Sequence, residues 1–328
     1  MRILVTGGAG YVGSHCVRLL CERGHDVVVF DNLSTGHAKA VDRRAKLVKG
    51  DLSDRDAIDA AMKGAEAVMH FAGVLNVNES LEHPLNYYVQ NVVHTINLLR
   101  AMAWCGARRV VFSSSCSVYG IPAATPITEE MPCMPISPYG SSKLMIERIL
   151  DDCSRAWGLG STSLRYFNAA GASASGKIGE AHPEEIHLIP LVIRAALSEN
   201  EMVRVFGVDY PTKDGSAVRD YVHVDDLATA HLAALESQAE GEFRYYNVGT
   251  GWGTSVKEVI DLVSRLTGRA IRVEPAERRP GDPPELFADP TKIEAELGWE
   301  PRYNIEDIVK SAIAWHADHP DGYEASDE

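Results

Sequence analysis

The stretch Ile3-Leu4-Val5-Thr6-Gly7-Gly8-Ala9-Gly10-Tyr11-Val12-Gly13 decides the fold. An apolar run passes straight into a glycine turn and then into a helical pattern over 11–23. The turn holds G-x-G-x-x-G at Gly8, Gly10 and Gly13, and a second glycine set at Gly7, Gly10 and Gly13. Glycine is demanded where backbone turns tightly and approaches a pyrophosphate, whose charge then rests on the N–H groups that open the next helix. Asp31 ends the following apolar run, Val27-Val28-Val29-Phe30, where a carboxylate accepts hydrogen bonds from an adenosine ribose. No Arg or Lys stands between Asp31 and Gly36 to offset a 2′-phosphate, so NAD is expected rather than NADP.

Working outward, short β-branched runs alternate with helical patterns: Lys46-Leu47-Val48, then 54–63, Ala67-Val68-Met69-His70-Phe71, 84–105 and Val110-Val111-Phe112. This order predicts an α/β fold, a Rossmann-like doubly wound parallel sheet with helices on both faces. Asp51 and Leu52, and Phe71, Ala72 and Gly73, follow strand ends and should face the cofactor, although Asp51 also suits a helix N-cap near Asp54. Beyond the small-residue connector at 169–176 the pattern loosens into a second, smaller α+β substrate domain. The expected division is 1–170 and 171–328, with 220–247 packing back onto the first part. Tyr221-Val222-His223-Val224 reads as a strand able to rejoin the first sheet. Ser255 and Glu258 form a capping box for a helix over 255–267, closed by Gly268.

Among 328 residues, 32 basic against 46 acidic side chains give a net charge of −14. A sequence-independent nucleic-acid binder needs basic surface, so no nucleic-acid partner is expected. No apolar run reaches the roughly 18 residues that cross a bilayer, so no membrane partner and no signal peptide are expected. The six cysteines make no C-x-x-C pair and sit mostly in apolar segments, which reads as reduced thiols of a cytosolic protein with no metal site.

Residues 113–120 read Ser-Ser-Ser-Cys-Ser-Val-Tyr-Gly and place hydroxyls at a strand tip. About twenty residues on, Tyr139 and Lys143 stand at i and i+4, on one face of a helix. A neighbouring cation favours phenolate over phenol and a nicotinamide cation nearby would add to it, so Tyr139 is expected to supply a base, with two positive charges drawing the phenol from about 10 toward neutrality.

Glycine turn, serine-tipped strand and Tyr-x-x-x-Lys in this order resemble the extended short-chain dehydrogenase/reductase family, and within it the nucleotide-sugar 4-epimerases. Supporting runs are His70-Phe71-Ala72-Gly73, Leu164-Arg165-Tyr166-Phe167-Asn168, Val218-Arg219-Asp220-Tyr221-Val222-His223 and Arg278-Arg279-Pro280-Gly281-Asp282, and matching segments extend over 1–323. The resemblance implies interconversion of UDP-galactose and UDP-glucose by transient oxidation at sugar C4 through tightly bound NAD. It assigns the proton transfer to Tyr139, a hydrogen bond on the reacting oxygen to Ser115, and the nicotinamide ribose to Lys143. Tyr11, Val12, Asn32, Asn91, Ser113 and Phe167 join the glycines around the cofactor. Asn168, His187, Leu188, Phe206, Arg219, Arg279, Asp282 and Leu286 surround the UDP-sugar, the two arginines against its pyrophosphate, and the helices over 84–105 and 139–157 pair in a homodimer.

Two departures stand out. Family members often carry a lysine just past His-Phe-Ala-Gly, whereas 74–80 reads Val-Leu-Asn-Val-Asn-Glu-Ser. The position lining the sugar 2-substituent, tyrosine in some bacterial relatives and smaller in others, aligns with Leu286, whose shorter side chain is expected to leave room for a 2-acetamido group. A 4,6-dehydratase, which needs acidic residues where Cys116 and Ser117 stand, a UDP-pentose 4-epimerase and a non-catalytic NAD-binding redox sensor are the competing readings.

Overall fold

The computed structural model describes residues 1–198, 201–279 and 281–323. Pro280 of the run Arg278-Arg279-Pro280-Gly281-Asp282 and residues 324–328 lie outside the described residues. Along the chain run β1 (Arg2–Thr6), α1 (Tyr11–Glu22), β2 (Asp26–Asp31), β3 (Lys46–Lys49), α2 (Arg55–Met62), β4 (Ala67–His70), α3 (Val77–Glu82), α4 (Pro84–Tyr87), α5 (His94–Cys105), β5 (Arg109–Ser115) and α6 (Pro138–Trp157). There follow β6 (Gly160–Tyr166), β7 (Asn168–Ala170), α7 (Leu188–Leu197), β8 (Val203–Phe206), β9 (Val218–Arg219), β10 (Tyr221–His223), α8 (Val224–Glu236), β11 (Phe243–Val248), β12 (Thr254–Ser255), α9 (Val256–Thr267), β13 (Val273–Ala276), β14 (Glu285–Leu286), α10 (Thr291–Leu297) and α11 (Ile305–Asp318).

Seven strands form one sheet in the order β11-β6-β5-β4-β1-β2-β3, every neighbour parallel. Side chains alternate across it as strand geometry requires: Ile3 and Val5 enter a core with α1 and α8, while Leu4 enters another with α2, α5 and α6. A third core gathers α7, α9 and α11 around β8. The strand order reverses between β1 and β4, and the crevice at the carboxyl ends beside that reversal is where such sheets take ligands.

Two local expectations need correction. The helix over 84–105 is interrupted by a π-helical stretch (Tyr88–Val93) between α4 and α5. That widened turn carries Asn91, which is buried; its Oδ1 accepts from Val74 N–H at 2.9 Å and its Nδ2 donates to Ser142 Oγ at 2.9 Å. A 3.6-residue pattern does not register one extra residue in a turn. The strand at Tyr221 does not rejoin the large sheet either: β10 pairs with β7, and β11 takes the edge beside β6. The helix at 255 is as expected, both halves of its capping box formed and Gly268 left-handed at φ 67°.

Burial holds three histidines neutral: His70 at about 3, His223 and His231 at about 4. Their unfolded values lie near 6.5, so below that pH the unfolded chain takes protons first. Stability therefore falls as pH drops from 6.5 toward 4, by about 1.4 kcal/mol per pH unit for each histidine within its window. Urea midpoints across this range check it, and His231→Leu, which cannot titrate, should make the decline shallower; an unchanged slope would refute the assignment.

Candidate active site

The turn after β1 shows which glycines the chain itself requires. At Gly7, with φ 70°, an added Cβ would lie 2.5 Å from Ala72 N, and at Gly13 it would lie 2.2 Å from Gly7 O. Gly10 differs: Gly7 O, at 3.3 Å, is the one atom that would lie within 4 Å of an added Cβ, so the chain crowds it from one direction and leaves the other side open. Gly10 is also the N-cap of α1, which has no side-chain cap and no acidic residue in its first turn. An uncapped helix N-terminus behind an open glycine fits the pyrophosphate of a dinucleotide, whose charge would meet free N–H groups and the helix dipole.

Asp31, buried at the end of β2, ties this turn down: Oδ2 accepts from Ala9 N–H at 3.0 Å and Oδ1 from Leu33 N–H at 2.8 Å. Asn32 donates to Asp51 Oδ2 at 2.7 Å, and Ser53 N–H to Asp51 Oδ1 at 2.8 Å. The cap of α2 is Asp54, accepting from Ala57 N–H, so Asp51 is not that cap. Leu52 is buried, and Phe71 and Ala72 both donate their N–H groups to Thr6 O, which brings the β4 tip against the glycine turn. Tyr11 donates to Gly171 O at 2.6 Å, and Val12 packs into the core under α1.

At the tip of β5, Ser113 Oγ bonds the Tyr166 hydroxyl, and Ser113 O accepts from Lys143 Nζ at 2.9 Å. Ser115 caps the short turn after β5, accepting from Ser117 N–H at 3.2 Å. Tyr139 and Lys143 share a face of α6, the ammonium 5.7 Å from the phenol ring centroid and 4.9 Å from that of Phe112. Burial pushes the Tyr139 phenol up to about 12, with Ser115 drawing it down through a hydrogen bond. Lys143 is spent on a carbonyl, and burial lowers it to about 8 while Glu147 opposes the shift. Protein atoms alone do not make the phenol acidic. Cys116, adjacent to Ser115, is no nucleophile, because burial raises its thiol to about 12.

The remaining residues come from the second half of the chain. Phe167 is buried with Val118, Tyr119, Ile127 and Ala288, and Leu286 on β14 packs against that cluster. Asn168 opens β7, its N–H donating to Asp220 O at 3.0 Å. Arg219 on β9 is engaged by Asp282 at 2.5 Å, and Arg279 is exposed, its guanidinium 4.1 Å over the Phe206 ring. His187 is the N-cap position of α7 and Leu188 its first residue; the His187 Nδ1 is turned toward Glu180 and Glu185.

Sequence reasoning missed the support behind Lys143. Glu147, one turn further along α6, is buried and paired with Arg165 of β6 at 2.5 Å and with Ser114 Oγ at 2.6 Å. The i, i+4 step from Lys143 to Glu147 was a readable signal; the Arg165 partner was not, being 18 residues away.

Residues 3–249 match the NAD dependent epimerase/dehydratase family. The chain belongs to that family. Among its relatives, the UDP-glucose 4-epimerase of Lactobacillus helveticus is 46% identical over 328 residues, covering 99% of each chain. A crystal structure of a UDP-glucose 4-epimerase superposes with a TM-score of 0.95 at 44% identity, covering 99% of this chain and 100% of that one. The Bifidobacterium longum UDP-glucose 4-epimerase, solved in complex with NAD+ and UDP, has a TM-score of 0.93 at 38% identity and covers 98% of this chain and 100% of its own. For a member of the NAD dependent epimerase/dehydratase family, the open side of Gly10 and the uncapped α1 lie where the fold takes a dinucleotide.

Proposed function

We infer that this chain interconverts UDP-galactose and UDP-glucose by inverting the hydroxyl at sugar C4, with NAD as its resident cofactor. The observation that carries the reading is the shared face of Tyr139 and Lys143 on α6, locked to the β5 tip through Ser113 O, at the same carboxyl end of the sheet as the glycine turn after β1. Gly7, Gly10, Gly13, Asp31 and Lys143 would hold the cofactor. When bound, NAD would supply a hydride acceptor for C4 in its oxidised form and a donor in its reduced form, and its nicotinamide charge would add to that of Lys143 near Tyr139. Tyr139 takes the proton of the 4-hydroxyl and returns it, and Ser115 orients that oxygen. Arg219 and Arg279 answer the pyrophosphate, which requires Arg219 to share its fork with Asp282. The positions after Ser115 carry a thiol and a hydroxyl, so the strand tip has no carboxylate for the elimination that a dehydratase performs.

Leu286 supports a second substrate. It is an apolar side chain packed on the Phe167 cluster, and a branched aliphatic there leaves more room at the sugar 2-position than an aromatic ring would. We assign residues 1–170 with 220–247 to cofactor binding and the rest to the nucleotide sugar. Six free cysteines accord with a cytosolic protein, and among the described residues no helix is long and apolar enough to cross a membrane.

A homodimer accounts for the apolar side chains left bare along the α3 to α5 segment. Most apolar residues of α6 are absorbed by the chain's own cores, Ile146 and Leu150 fully. Leu81, Leu85, Val89 and Val93, four apart along the α3 to α5 segment, stay exposed with Trp104 and Met145, Leu85 at 78% and Trp104 at 86%.

The direct test is purified protein incubated with UDP-galactose and no added cofactor, in parallel with UDP-xylose and UDP-N-acetylglucosamine. UDP-glucose should form, with slower C4 inversion of the acetamido sugar. Bound NAD without product from any of the three would point instead to a redox sensor, and turnover of UDP-xylose alone to a pentose epimerase.

A further inference from the structure

Between β7 and α7 the chain reads Glu180-x-His182-x-x-Glu185-x-His187, and the fold draws these four side chains to one point. We propose that they form a structural site for a divalent transition-metal cation of the zinc class. One donor atom from each lies within 4.8 Å of all the others. His187 Nδ1 is 2.8 Å from Glu180 Oε1 and 3.1 Å from Glu185 Oε1; His182 Nδ1 is 3.2 Å from Glu185 Oε2 and 3.6 Å from Glu180 Oε1. Four N and O ligands about 2.1 Å from a tetrahedral zinc stand roughly 3.4 Å apart, within the span of these separations.

A separate observation points to a missing ligand. The Glu180 side chain is only 4% exposed, and its Oε1 faces His187 Nδ1 at 2.8 Å and His182 Nδ1 at 3.6 Å with neither aligned for a hydrogen bond. The adjacent His187 Nδ1 instead bonds Glu185 Oε1, which also accepts from the N–H groups of Ile186 and His187. A buried carboxylate oxygen met only by misaligned imidazole nitrogens is poorly satisfied, and a cation at the centre of the four atoms would take a lone pair from each. The backbone is held from outside: Trp315 Nε1 donates to Glu180 O at 3.1 Å, Tyr323 bonds both Gly179 N and Gly179 O, and His37 Nε2 lies 3.1 Å from Ala181 O. Four protein ligands leave no open position, so the cation braces the entry to α7 and performs no chemistry. With Nδ1 committed to the metal, His187 has only Nε2 left for any other ligand. Cysteine spacing, the usual signal for zinc, passes over this set because it contains none. The proposal does not depend on the epimerase reading.

The competing closure of the cluster is a proton on His187. Chelator-treated full-length protein, mixed with zinc, passed through a desalting column and assayed by plasma mass spectrometry, separates the two. About one zinc per chain should be retained, and zinc should raise the melting temperature by several degrees. His182→Ala and Glu180→Gln should each lose most of both effects. Zinc-free parent protein overturns the proposal, as does retention by His182→Ala equal to the parent's. If a variant does not fold, competition between the parent and a chromophoric zinc chelator decides, because a parent that takes no zinc from the chelator refutes the site.

Discussion

Tyr139→Phe should lower kcat for UDP-galactose about 10²- to 10⁴-fold with KM changed only a few-fold, the range lost when a positioned acid-base group is removed. The ring stays, so its packing and the contact with Lys143 are retained; the oxygen that moves the proton is lost. Burial sets the phenol at about 12, so its acidity in the working complex has to come from what binds beside it, and Lys143 contributes chiefly by position. Steady-state kinetics of the variant, with NAD content measured spectroscopically, makes the comparison. Turnover at the parent's rate would refute the assignment of the base, and loss of NAD along with activity would show that the residue acts by holding the cofactor.

Arg165→Met should destabilise the fold by about 3–5 kcal/mol, the cost typical of stranding one member of a buried ion pair. Glu147 is almost fully buried and receives Arg165 Nε at 2.9 Å and the outer guanidinium nitrogen at 2.5 Å. The same guanidinium donates to the Tyr119 hydroxyl at 2.9 Å, which donates to Asn247 Oδ1 at 2.7 Å, so the pair ties α6 and β6 to β11. Removing the arginine leaves the carboxylate with Ser114 as its remaining side-chain partner. Replacing both residues by methionine should recover most of the loss, since no charge is then left buried. Urea unfolding of the two variants tests this: a single-variant cost below about 1 kcal/mol, or a double variant no better than the single, would show that the pair is not the keystone described.

Much of this was legible before any coordinates. The glycine turn, Asp31 and the Tyr139–Lys143 face are encoded by spacing within one turn of chain or one strand-to-helix junction. Strand alternation and the capping box at Ser255 are equally local. Less legible were features depending on partners far along the chain. The π-helical turn presenting Asn91 breaks a period that pattern reading assumes. The pairing of β10 with β7 rather than with the large sheet was hidden because β7 is a three-residue strand whose last two residues fall in the stretch read as a connector at 169–176. The engagement of Arg219 by Asp282 joins residues 63 positions apart, and the acidity of Tyr139 depends on burial that no neighbouring residue announces.

By itself, then, the order of residues determined the layered α/β architecture, the dinucleotide cradle and the candidate acid-base pair, because periodicity, left-handed glycine geometry and i, i+4 placement are properties of short segments. Tertiary structure alone decided the charge state of the phenol, the buried Glu147–Arg165 tie and the convergence of Glu180, His182, Glu185 and His187. Desolvation and electrostatic pairing sum over everything packed around a group, and that surrounding exists only once distant segments have met.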